Sequence, residues 1–214
     1  MKNSSLTRLF RHGAIGLLLL ITTSCAALRS NESLQSSFYT LDGPLNVVRS
    51  KPVDTAPTLI INPPHASAGF DTPRIIFLRE THKLEYYSYS EWIDTPARML
   101  APLIIAAIEN SGAFRAVALT PSAAAGDLRL DTEIIRLQHE ISGTPSRVHF
   151  TLRAYIVDNT SRQIVGWRQF DETVPVASED PYGSVIAANR AVQNVLKQLS
   201  AFCAEAAANW QSPE

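Results

Sequence analysis

Three successive stretches of apolar–polar alternation fix the second half of this chain as sheet. Asp127-Leu128-Arg129-Leu130-Asp131-Thr132-Glu133-Ile134 puts Leu128, Leu130 and Ile134 on one face and Asp127, Arg129, Asp131 and Glu133 on the other. Val148, Phe150, Leu152, Ala154 and Ile156 repeat the pattern, and Asp158-Asn159-Thr160-Ser161 turns the chain into a third run, Ile164 to Val174. A period of two with short turns predicts an antiparallel meander with one face wet and one apolar. The apolar face needs a cover, and the next segment supplies it. Val185, Ala188, Val192, Val195, Leu196, Leu199, Phe202 and Cys203 recur at helical spacing, behind an entry at Asp180-Pro181 or a cap at Ser184. From Ser184 to Ala208 such a helix is about 37 Å long at 1.5 Å per residue.

The first half is built of shorter pieces. Phe38-Tyr39-Thr40-Leu41 is a β-prone run closed by the turn signal Asp42-Gly43-Pro44, and Thr58-Leu59-Ile60-Ile61 reads as a buried strand stopped by Pro63-Pro64. His65 to Thr72 reads as loop. Ile75–Arg79 and Leu84–Tyr89, separated by Glu80-Thr81-His82-Lys83, predict a β-hairpin. Asp94 or Thr95 then caps a helix with Pro96 in its first turn, a stripe of Leu100, Leu103, Ile104, Ala107 and Ile108, and Gly112 at its end. Pro102 inside it predicts a kink, and Ile105 lies off the stripe, leaving the helix apolar on more than one side. Phe114-Arg115-Ala116-Val117 suggests a short strand. The expected fold is therefore α+β, a mostly antiparallel sheet with two long amphipathic helices packed on one face.

The amino terminus carries an address. Lys2, Arg8 and Arg11 precede the apolar run Ala14–Ile21, which is about half the length needed to span a bilayer, and Thr22-Thr23-Ser24-Cys25 follows. The pattern reads as a bacterial lipoprotein signal, the alternative being an ordinary cleaved signal peptide in which Cys25 is incidental; Thr22 stands three residues before the cysteine, where Leu is most common. The expectation is a signal peptide over 1–24, a lipidated Cys25 (palmitate-type lipid, with diacylglycerol on the thiol and a third chain on the freed amine) and a flexible tether to residue 37. A single α+β domain over 38–210 and a tail over 211–214 complete the chain. Ala26, where Asp often marks retention in the inner membrane, points to the periplasmic face of the outer membrane. Removing Lys2, Arg8 and Arg11 from 19 basic side chains leaves 16 against 20 acidic, a mature net charge of −4. Nucleic acid is excluded as a partner on that balance.

Chemistry is sparse. No Gly-x-Ser-x-Gly and no phosphate-cradling glycine loop is present. His65, His82, His139 and His149 lack the paired spacing of a zinc site and read as surface or loop residues; no metal or cofactor is expected. Glu172, Glu179 and Asp180 read as solvated loop charges, the last two favoured by a helix N-terminus. Cys203 reads as a small buried apolar residue. The densest aromatic stretch is Tyr86, Tyr87, Tyr89 and Trp92, read either as core and strand edge or as a contact surface for a protein or a lipid.

Several of these segments together resemble one family. Cys25, Phe38-Tyr39-Thr40-Leu41, Phe70-Asp71-Thr72-Pro73-Arg74-Ile75-Ile76, Tyr87 through Trp92 leading into a helix, Asp127-Leu128-Arg129-Leu130, and a late alanine-rich helix ending near Trp210 resemble the ABC-type transport auxiliary lipoproteins of the paraquat-inducible protein C type. Trp92 is followed by Ile93-Asp94, where that family more often has a small residue and a glutamate. The resemblance implies a non-enzymatic accessory of an MCE-domain lipid transport system linking the two membranes, with an inner-membrane ABC permease and ATPase supplying energy, and it allows a ring-like homo-oligomer. It places lipid at Cys25 and suggests Tyr87, Tyr89, Trp92 and Ile105 as partner-facing. The alternatives are an assembly lipoprotein that plugs an outer-membrane β-barrel in the manner of lipopolysaccharide export, a lipid-anchored periplasmic hydrolase working through residues such as Ser90, His82 or His149, and a module with a lipid-sized cavity.

Overall fold

A computed structural model describes residues 35–43, 55–122 and 125–211. The signal peptide, Cys25, most of the expected tether and the Pro44 side of the first turn lie outside the described residues. Among the described residues nine strands and two helices follow in the order β1 (Ser37–Tyr39), β2 (Thr58–Ile61), β3 (His65–Ala66), β4 (Arg74–Leu78), β5 (Glu85–Trp92), α1 (Pro96–Glu109), β6 (Ala116–Leu119), β7 (Leu128–Glu140), β8 (Arg147–Asp158), β9 (Ile164–Pro175) and α2 (Pro181–Asn209).

The expected meander is present. β7 pairs antiparallel with β8 and β8 with β9, so three strands of 12 or 13 residues form the body of the sheet. On its other side β7 takes short parallel partners, β2 and β3 and then β4 at its end. β6 adds parallel to β2, β5 antiparallel to β4, and β1 parallel to β5 as an edge. The stretch expected as loop after Pro64 thus contributes β3, two residues whose backbone bonds are completed by β7. The strand placed at Phe114 begins two residues later, because the Phe114 ring is buried in the core.

Both helices pack on one face, as the patterning requires. One cluster of buried side chains joins Leu100, Leu103, Ile104 and Ile108 of α1, Val192, Val195 and Leu199 of α2, and Leu130, Ile134, Phe150, Leu152 and Ile156 of the sheet. Each fully buried large aliphatic side chain is worth about 1.5–3 kcal/mol. The helices are also tied directly, Ser200 Oγ donating to the Ala107 carbonyl at 2.9 Å. α2 starts where expected: Asp180 is the N-cap, its carboxylate accepting from the Gly183 N–H at 2.7 Å, and Pro181 occupies the first turn, where its missing N–H costs nothing. α1 runs from Pro96 to Glu109 as one element through Pro102, and Gly112 adopts a φ of 65° just beyond it.

One irregularity in β7 redirects its side chains. The register with β8 slips between Ile134 and Arg136, leaving Ile135 as an extra residue. Before the bulge Leu128, Leu130, Thr132 and Ile134 point into the core; after it the inward positions are Leu137 and His139. The reading of His139 as a surface residue is therefore corrected, since at 2% exposure it is part of the interior.

Candidate interaction surface

The aromatic stretch of β5 divides between core and surface. Trp92 is buried at 4% exposure against α1 and the sheet, which corrects its assignment as a partner-facing ring. Tyr87 turns inward too: its ring lies 4.6 Å from that of Phe77, and its Oη is 2.8 Å from His139 Nδ1. Burial, with the Glu179 and Asp180 carboxylates nearby, pushes its hydroxyl up to about 12. Ile105 is half-buried and packs against the core from the outer side of α1. Of the four residues suggested by sequence, Tyr89 is the one presented to solvent, at 48% exposure.

Around Tyr89 the fold assembles residues that sequence reading did not single out. In the parallel β1–β5 register Phe38 lies opposite Glu91, between the same-face positions Tyr89 and Ile93. The Ile93 N–H continues the pairing onto the Tyr39 carbonyl at 2.7 Å. Phe38 is 58% and Ile93 59% exposed. These three, with the half-buried Glu91 between them, form a largely apolar patch on the sheet face remote from the helices. Period-two alternation about Trp92 was the available signal for Ile93; nothing local signalled that β1 would pair with β5. Around the same edge, on the helix side, Tyr39 and Tyr182 approach at 6.2 Å between ring centroids, and the Tyr182 and Ile186 side chains are exposed.

Elsewhere the same outer face is polar. Arg129 pairs with Asp131 at 3.1 Å, Arg136 with Asp171 at 2.9 Å and Arg153 with Glu133 at 3.6 Å, across strands β7 to β9. At the far edge β9, which pairs with β8 alone among the described strands, exposes Ile164, Val165 and Trp167. An open groove of about 650 Å³ runs between the helices, lined by Asp42, Gly43, Leu103, Ala107, Leu196 and Lys197.

Beneath β5 lies a buried polar chain. His139 Nε2 is 2.7 Å from Ser146 Oγ, and the Ser146 backbone N–H donates to Glu179 at 3.1 Å. The Ser146 hydroxyl, bonded to the same carboxylate, holds Glu179 below its ordinary range. With that proton committed, Ser146 Oγ accepts from His139 Nε2–H, and Nδ1 accepts from the Tyr87 hydroxyl. A serine and a histidine do meet here, but Ser146 has no exposed surface and Tyr87 and Glu179 use the remaining valences, so no substrate reaches them. The three acidic residues do not converge: Glu172 accepts from Asn194 and Gln198, while Asp180 caps α2. The hydrolase residues are equally scattered, with Ser90 buried and His149 paired with Glu140 at 2.8 Å. Among the described residues no group of three metal-ligating side chains forms, and no helix is long and apolar enough to cross a membrane.

Two helices on one face of a mostly antiparallel sheet define the class as an α+β domain, with exposed apolar side chains at both edges of the sheet. Residues 39–200 match the family described as ABC-type transport auxiliary lipoprotein component, and the chain belongs to that family. Its fold is that of protein XCC0632 from Xanthomonas campestris, 23% identical over 80% of this chain and 96% of that one, with a TM-score of 0.68. It is shared more distantly by the hypothetical protein CT253 from Chlamydia trachomatis, 9% identical over 72% and 100% of the respective chains, with a TM-score of 0.54. Comparison with curated proteins gives no match. The protein is thus a lipoprotein of the bacterial cell envelope, in a family of auxiliary transport components and not of known enzymes.

Proposed function

We propose that the protein is a non-enzymatic periplasmic component of an MCE-type lipid transport system, held by lipid on Cys25 at the periplasmic face of the outer membrane. The observation that carries this reading is the family match over 39–200 behind a leader that ends in Thr22-Thr23-Ser24-Cys25. An inner-membrane ABC permease and its ATPase supply the energy, and this chain supplies position. Three things support a positional role: a continuous rigid core, a Ser–His pair sealed from substrate, and exposed apolar side chains confined largely to the two edges of the sheet. Tyr89 is the exposed residue retained from the sequence reading, and Phe38 and Ile93 stand beside it. Tyr87, Trp92 and Ile105 serve indirectly, by fixing the strand and helix that carry the exposed residues. A ring of several copies is compatible with the open edge at β9.

The test is in-cell crosslinking of the lipidated protein followed by mass spectrometry of what co-purifies. Recovery of an MCE protein with its permease is the expected result. An outer-membrane β-barrel as the sole partner would replace this reading with the assembly-lipoprotein one.

A further inference from the structure

We infer that the apolar patch formed by Phe38, Tyr89 and Ile93 is a membrane-docking face, seated on the zwitterionic phospholipid leaflet that receives the Cys25 acyl chains. The inference rests on the lipoprotein reading above. Its first support is where the chain enters the domain. Phe38 stands thirteen residues after Cys25, a span that at full extension reaches at most about 45 Å. The lipid anchor therefore keeps this entry edge within about that distance of the bilayer and gives its surface a high effective concentration of lipid.

The second support is composition. Phe, Tyr and Ile side chains, each about half exposed or more, stand together on β1 and β5, whereas the outer face of β7–β9 is covered by the Arg129–Asp131, Arg136–Asp171 and Arg153–Glu133 pairs. Rings with an apolar body and a polar tip are the residues that settle at the headgroup level. The charges within and beside the patch decide the lipid. Glu91 lies opposite Phe38, Asp94 is engaged by Arg98 at 3.3 Å, and Arg74 is stacked over the Tyr86 ring at 5.0 Å. Among the described residues no basic cluster rims the patch to hold anionic headgroups, so docking is apolar and tolerant of salt.

The experiment uses the full lipidated chain in vesicles of phosphatidylethanolamine with a minor fraction of phosphatidylglycerol. An environment-sensitive bimane is attached at Ile93→Cys or, as a control on the β8–β9 turn, at Gln163→Cys. Cys203 is fully buried and Cys25 is acylated, so labelling is selective. Nitroxide-bearing acyl chains are expected to quench the label at 93 about threefold more than that at 163, in low and high salt alike. Phe38→Ser with the label at 93 should reduce that difference while the protein still floats with the vesicles. An anchored protein whose two labels are quenched equally overturns docking alone. Quenching that requires several copies per vesicle assigns the patch to a second copy and overturns it as well. A chain that does not float overturns the lipoprotein reading and this inference together.

Discussion

The Tyr87 hydroxyl lies 2.8 Å from Nδ1 of His139, tying β5 to the end of β7 through two side chains 52 positions apart in the sequence. The other imidazole nitrogen holds Ser146, and Ser146 holds Glu179 just ahead of α2, so one neutral histidine joins the hairpin, the meander and the start of the long helix. This arrangement predicts a pH dependence. Burial keeps His139 below its ordinary value near 6.5, so the unfolded chain takes up that proton first as pH falls. Its contribution is fully present above about pH 6.5 and declines as pH drops below that value toward the folded-state one. Thermal melts between about pH 7.5 and 5 should show this decline, and His139→Gln should flatten it. The carboxylates held low, Glu179 and Asp180, act in a separate window beneath the ordinary carboxylate range.

Neighbouring aromatics in β5 should behave in opposite ways. Trp92→Ala removes a ring buried at 4% exposure and is expected to cost about 3–5 kcal/mol in urea unfolding. Tyr89→Ala, at 48% exposure, should change stability by no more than about 0.5 kcal/mol while weakening vesicle docking. Equal losses at both positions would contradict this division of the strand.

Gly183 has a requirement that its place in a helix conceals. A Cβ there would sit 2.0 Å from the Ser178 carbonyl oxygen, in the turn that Asp180 uses to cap α2. Gly183→Ala should therefore destabilise by about 1–3 kcal/mol, through overpacking against backbone that cannot move aside. Gly143→Ala, whose Cβ would lie 3.5 Å from the Pro145 carbonyl oxygen, is the control and should be far milder.

Cys203 should be chemically silent in the folded protein. It has no exposed surface, and burial raises its thiol to about 12. A chromogenic disulfide reagent at mildly alkaline pH should find no reactive thiol until denaturant is added, and then this one. Rapid reaction under native conditions would mean that the C-terminal half of α2 opens readily.

The extent of the meander, the strand at Thr58–Ile61, the hairpin at 75–89 and both helices were legible because each depends on a local period of two or 3.6 and on turn residues within a few positions. The cell-envelope lipoprotein class was legible for a similar reason, since a signal sequence is read as a linear string. The inward turn of His139 was not. Facing in a strand is a matter of parity, and the single extra residue at Ile135 inverts it for everything that follows. Trp92 and Tyr89 have similar aromatic chemistry and differ in which side of β5 they leave.

The sequence by itself determined the elements, their apolar stripes and the lipoprotein class of the chain, because those follow from residue spacing and short motifs. Tertiary structure alone decided that β1 would lie parallel to β5, bringing Phe38 between Tyr89 and Ile93, and that Tyr87, His139, Ser146 and Glu179 would close into one buried chain. Such contacts join positions tens of residues apart. Their selection depends on how the whole core packs and how its buried polar groups are satisfied, and no local period records that outcome.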